Sequence, residues 1–160
     1  MFGNKLLFNK KEAKKMTMID ISKKRCVIRE ATAKGNIILK SNTVKLIKNK
    51  QIIKGDPIYA AKIAAILAAK KTSEIIPLCH PLPLENIIIE ISIATENSIQ
   101  VSSTVKTTAQ TGVEMEALTA TSIGLLTIWD MVKQYEKNIE GQYPNTKIEK
   151  IIVVRKYKQA

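Results

Sequence analysis

Asp130 and Lys133, three residues apart, are the side chains in this sequence best spaced to exchange a proton. On a helix such residues are neighbours, so the carboxylate can set the pKa of the ammonium beside it or trade a proton with it. Glu114, Met115 and Glu116 lie upstream on the same stretch, which runs from Thr111 to Lys133 without a proline. Its wealth of Ala, Leu, Met, Glu and Ile reads as one long core helix, buried on most sides. Charge retained on such an element costs stability and is usually kept for a job. Fourteen residues separate Glu116 from Asp130; at 100° and about 1.5 Å per residue they share a side within roughly 40° but stand roughly 21 Å apart. One small pocket in one subunit cannot use both ends. Either the ligand is long, or a second copy of the helix brings opposite ends together.

Two further candidates sit on other elements. Lys54 precedes Gly55-Asp56-Pro57, a sharp helix start in which Gly55 permits the turn, Asp56 caps and Pro57 takes the first helical position. A cation at the positive end of a helix dipole is where a phosphate is held, although in so lysine-rich a chain another solvated lysine reads equally well. His80, the one histidine, lies in Ile75-Ile76-Pro77-Leu78-Cys79-His80-Pro81-Leu82-Pro83-Leu84, whose prolines impose a rigid extended loop. A lone histidine serves as readily in structure as in catalysis. Cys79 as a nucleophile activated by His80 is disfavoured because adjacent residues of an extended chain point apart. One histidine and two cysteines 53 positions apart make no zinc set, so no metal is expected.

The elements that must hold these residues can be read from periodicity. Residues 25–40 alternate small or apolar with polar side chains, as a strand with one wet face does; Arg29 stands on the apolar face, either salt-bridged or facing a ligand. Ser41 is the expected N-cap of a short helix to about Lys48, and the alanine-rich helix 58–69 can pack its backbone closely on a neighbour. Residues 86–94 and 98–108 form a hairpin, and 148–156 a last strand. Strand, helix, helix, strand, strand, long helix, strand predicts an α+β, ferredoxin-like antiparallel sheet with helices packed on one face.

With 160 residues and 45% hydrophobic content, one domain over residues 17–160 with a real core is expected. Residues 1–54 carry 15 Lys/Arg against 3 Asp/Glu, and residues 55–160 carry 11 against 11, so the whole net charge of +12 sits in the first third. Residues 1–16 read as a basic, disordered arm. The basicity comes from 23 lysines and only 3 arginines, with few aromatics. That is poor equipment for reading bases, so a phosphate funnel or solvated tail is preferred over nucleic-acid binding. No apolar run spans a bilayer and no secretory segment opens the chain, so a cytoplasmic protein with two free thiols, Cys26 and Cys79, is expected.

Several strings here resemble those of one known family. They are Met18-Ile19-Asp20-Ile21-Ser22, Lys54-Gly55-Asp56, Ala68-Ala69-Lys70-Lys71-Thr72, residues 76–82, residues 111–119 and Leu126-Thr127-Ile128-Trp129-Asp130-Met131. In this order they resemble the cyclic pyranopterin monophosphate synthases, the molybdenum cofactor biosynthesis protein C family, from about Met18 to Gly141. The resemblance implies a lyase that takes a 3′,8-cyclised dihydro-GTP, made by a radical-enzyme partner, to cyclic pyranopterin monophosphate with release of pyrophosphate. It also implies a homohexamer, a trimer of dimers with sites at the dimer interface, and no metal or cofactor. By motif, Lys54, His80, Asp130 and Lys133 would be catalytic, and Leu78, Cys79, His80, Glu114, Met115 and Glu116 would line the substrate, with Arg29 and Lys156 as further cations. The chain departs from the family at its end, where Val153-Val154-Arg155-Lys156-Tyr157-Lys158-Gln159-Ala160 replaces a glycine-rich lysine loop. A glycine-rich flap over the substrate cannot form there. Ala109-Gln110 likewise stand where the family often has Gly-Lys.

Overall fold

A computed structural model describes residues 16–159. The expected basic arm, Met16 apart, lies outside the described residues. The elements are β1 (Val27–Ile38), α1 (Ser41–Lys48), α2 (Pro57–Lys70), α3 (Thr72–Ile75), β2 (Asn86–Thr95), β3 (Ser98–Ala109), α4 (Glu114–Glu136) and β4 (Lys147–Lys158). The strands form one antiparallel sheet in the order β2-β3-β1-β4. With α4 laid across β1, β3 and β4 and α2 beside it over β2, this is the ferredoxin-like α+β arrangement that the order of elements implies. Among the described residues no helix is long and apolar enough to cross a membrane.

The alternation in β1 decides which side takes the helices. Ala31, Ala33 and Ile37 are buried beneath α4, whereas Thr32, Lys34 and Asn36 face the other way and stay partly exposed. Gly35 lies on the covered face. A Cβ there would stand 2.7 Å from Leu125 Cδ1 and 2.9 Å from Ile151 Cγ1, so the helix can sit this close only over a glycine. Gly124, which the reading of one unbroken helix passes over, permits a second close approach. Its Cα faces Ala61 and Ala65, with Ala65 Cβ 3.5 Å from where its own would be, so the alanine-rich α2 packs nearly backbone to backbone on α4.

The ends of three elements differ from expectation. Helix α4 starts at Glu114, not Thr111, and continues to Glu136. The delay has a cause: Arg29 Nε and Nη2 donate to the carbonyls of Ala109 (3.0 Å) and Gln110 (2.9 Å), which keeps the chain before Val113 out of helical conformation. Burial is on most sides, as expected: Ala117, Ala120, Leu125, Ile128 and Val132 are buried, and Met115 and Leu126 share a narrow exposed stripe with Asp130 and Lys133. Ser41 is not the cap of α1. The N-cap position is Lys40, without a side-chain bond, and its amide donates to both carboxylate oxygens of the buried Glu136 at 3.2 and 3.1 Å. A tertiary contact from 96 residues away therefore sets the helix start that local propensity assigned to serine. At α2, Asp56 does cap as expected, accepting from Ile58 N and Tyr59 N.

Strand β4 is two residues longer at its end than the expected 148–156. It pairs Tyr157 with Glu30 and Lys158 with Arg29, and Gln159 N donates to Ile28 O at 3.0 Å. Where a glycine-rich loop would hinge, this chain continues a ladder. Val and Tyr favour the pleated surface that glycine avoids.

Candidate active site

The chemistry-bearing residues fall into two groups, one toward each end of α4. Near the C-terminal end, Asp130 Oδ1 lies 2.7 Å from Lys133 Nζ, and its Oδ2 lies 3.0 Å from Lys54 Nζ. Lys54 donates a second bond, of 2.9 Å, to the Asp130 main-chain carbonyl. One carboxylate thus joins two ammonium groups, one from its own helix and one from the turn before α2. The hydrogen bonds from Lys133, then Lys54, hold the Asp130 carboxyl below its ordinary range, and the same contact with Asp130 raises the Lys133 pKa. All three side chains are between 41% and 58% exposed, so the cluster can reach an external anion.

The second group gathers where α4 begins. Burial and then the charge of Glu116 push the Cys79 thiol up to about 11; its Sγ lies 3.7 Å from Glu116 Oε1. A thiol so held is not a nucleophile near neutrality. Glu116 is only 3% exposed and its Oε2 finds no hydrogen-bond partner. Burial raises its pKa against the opposing backbone bond and the Cys79 contact. Glu114 behaves in the opposite way. Burial raises it, but the Lys156 hydrogen bond, the backbone and the charges of Lys156 and Arg29 outweigh burial and bring it below the ordinary value. His80 Nε2 lies 2.9 Å from the Ile19 carbonyl, on the wall of a cleft of about 300 Å³ that Met18, Lys24, Leu78 and Thr111 also line. Lys24 joins this cleft to a second one, of about 490 Å³, lined by Arg25, Val27, Arg29, Lys158 and Gln159.

Of the expected site residues, then, Lys54, Asp130 and Lys133 come together, and Leu78, Cys79, His80, Glu114, Met115, Glu116, Arg29 and Lys156 assemble at the other end of the same helix. The helix between the groups spans roughly 21 Å. Arg29 spends two of its donors on backbone, yet still adds its charge beside Glu114. The cations Lys24, Arg25 and Lys158 were not singled out by sequence. A basic run at 23–25 and a strand continuing past Lys156 are their only signals.

Comparison with known proteins supplies the remaining observation. The sequence profile of the MoaC family matches residues 18–158. The chain belongs to the MoaC family. Family relatives cover nearly their whole length. One from Sulfolobus acidocaldarius is 61% identical over 141 residues, 88% of this chain and 98% of the relative, and is called "probable cyclic pyranopterin monophosphate synthase". A Pyrococcus furiosus protein of the same name is 51% identical over 148 residues, 92% of this chain and 94% of the relative. A Methanothermobacter thermautotrophicus member, 48% identical over 151 residues with 94% of each chain covered, is called a "probable cyclic pyranopterin monophosphate synthase accessory protein". The match to residue 158 takes in β4, so the family's boundary extends past the point where the glycine-rich loop is missing.

Proposed function

We propose that this protein is a cyclic pyranopterin monophosphate synthase, a lyase of molybdenum cofactor biosynthesis that converts 3′,8-cyclised dihydro-GTP to cyclic pyranopterin monophosphate and pyrophosphate. The observation that carries the reading is the Lys54–Asp130–Lys133 cluster, in a chain whose relatives bear that name. Its substrate carries a triphosphate, and the pyrophosphate that leaves is more highly charged than the ester it departs from. Lys54 and Lys133 are placed to stabilise that charge. Asp130 holds Lys54 beside it and raises the Lys133 pKa, keeping that ammonium charged until phosphate displaces it. It then accepts or returns a proton as the purine ring opens and the pterin ring closes. Leu78, Cys79, Met115 and Glu116 form the wall for the ring system. Lys24, Arg25, Arg29 and Lys158 flank the His80 cleft and favour anionic groups there.

The two groups act in one site only if two chains meet, so the functional species is a homo-oligomer with sites at a subunit boundary, a trimer of dimers by family resemblance. It needs no metal or other cofactor, and it works in the cytoplasm, where its two cysteines stay reduced. The test is direct. Incubated with the cyclised dihydro-GTP, the protein should yield one pyrophosphate, seen by phosphorus NMR, for each pterin product. The absence of both would leave the second reading, a non-catalytic oligomeric homologue. The observation favouring that reading is the continuous strand at Tyr157-Lys158, which stands where the family's mobile loop would be.

A further inference from the structure

The geometry points to Tyr135 as the positioning residue for Lys54, through the hydroxyl that accepts the Ile53 amide. The inference deepens the proposed function, because it concerns how one cation of that site is aimed. Apart from the two bonds of its ammonium to Asp130, Lys54 occupies a turn with little of its own to fix it. Gly55 follows at φ +102° with nothing within 4 Å of a Cβ, and the Ile53 side chain is 83% exposed. Three further contacts hold the backbone of the turn. Ile52 is buried in the core, Gly55 N donates to Ile52 O at 3.0 Å, and Ile53 N donates to Tyr135 Oη at 3.0 Å. The first two anchor the turn on its core side. The third ties its exposed edge to α4, two residues beyond Lys133 and five beyond Asp130.

The last turn of α4 is itself clamped, which makes it a suitable reference. Lys40 Nζ donates to the carbonyls of Tyr135 (3.1 Å) and Lys137 (3.0 Å). Glu136, fully buried, accepts from Lys40 N at 3.2 and 3.1 Å and from the Thr146 hydroxyl at 2.5 Å. The Tyr135 ring packs against the core, so its hydroxyl is fixed by the same contacts. One short segment of helix therefore carries Asp130 and Lys133 and, through Tyr135, sets where Lys54 stands relative to them. No motif marks this role. Tyr135 makes no bond to the anion-binding atoms of Lys54, Asp130 or Lys133.

Tyr135→Phe tests it, since the ring and its packing remain and only the acceptor is lost. The Ile53 amide should exchange at least tenfold faster in the variant, and the Asp130 carboxyl, followed by carbon NMR, should titrate closer to its ordinary range as Lys54 drifts away, with Tm within about 2 °C of wild type. Turnover of cyclised dihydro-GTP should fall by about tenfold or more, the scale on which small misplacements act. Unchanged Ile53 exchange and an unchanged Asp130 titration would overturn the inference, whether or not the protein turns over substrate. Loosened Lys54 with undiminished turnover would overturn its catalytic relevance. If wild type itself makes no product, the proposed activity fails while the exchange and titration still decide the positioning claim.

Discussion

Replacing Asp130 with asparagine separates what the cluster does for the fold from what it does for chemistry. The side chain keeps its shape, and Lys54 keeps its bond to the Asp130 carbonyl at 2.9 Å. Asparagine offers one acceptor and one donor where aspartate offered two acceptors, at 2.7 Å to Lys133 and 3.0 Å to Lys54, so one ammonium must lose its partner. Exposed pairs are well screened, and Tm should stay within about 2 °C of wild type. The sign with pH follows from the lowered Asp130 pKa. Its small stabilisation is present above the ordinary carboxylate pKa and is lost as pH falls through the folded value, so the two melting curves should converge in acid. Activity should respond far more strongly, falling by about 10²-fold or more, the usual scale for a group that moves protons or organises charge in the transition state. Loss of the carboxylate also removes what raises Lys133, so the alkaline limb of the pH–rate profile should move to lower pH. Pterin formation measured beside thermal melts at several pH values reads all of this. Turnover within twofold of wild type, or a Tm loss above about 5 °C, would refute the reasoning.

Three further outcomes are expected. Glu116→Gln should abolish most activity yet raise Tm at pH 7–8. The folded protein holds this carboxyl above its ordinary pKa, so ionisation costs stability as pH rises, and the gain should disappear below about pH 4. Gly35→Ala should lower stability by about 2 kcal/mol through overpacking against Leu125 and Ile151, a fall in Tm of roughly 4–8 °C on thermal melting. Iodoacetamide should alkylate the exposed Cys26 in the native protein and leave Cys79, held as a thiol, until the chain unfolds, as peptide mass mapping will show.

What could be read from sequence was whatever depends on near neighbours in the chain. The period-2 alternation of residues 27–38, the Asp56-Pro57 cap and the i, i+3 spacing of Asp130 and Lys133 all appear in the structure as the residues dictate. The partition of the site was legible too, because helix rise alone separates Glu116 from Asp130. What depends on contacts between distant residues was not legible. Arg29 looked like a salt-bridge or ligand arginine, and only the fold shows it bonding the carbonyls of Ala109 and Gln110, 80 and 81 residues away, and so delaying α4. Nothing in the sequence singles out Glu136, yet it is buried and replaces the serine cap expected for α1. Tyr135 carries its information in a hydroxyl aimed at a backbone amide 82 residues earlier. At the C-terminus the missing glycines were visible, but not that the chain would use the freed residues to lengthen a strand beside Arg29.

The division of one active site between two chains is tested most directly by mixing two inactive variants. Lys133→Ala disables the group near the end of α4, and His80→Ala the group at its start. Dissociated and reassociated together at equal amounts, half of the dimers pair one of each, and each such dimer has one wholly intact site and one doubly disabled site. Random pairing should therefore restore about a quarter of wild-type turnover. Activity no greater than the sum of the two variants alone, despite verified subunit exchange, would show that each chain builds its site by itself.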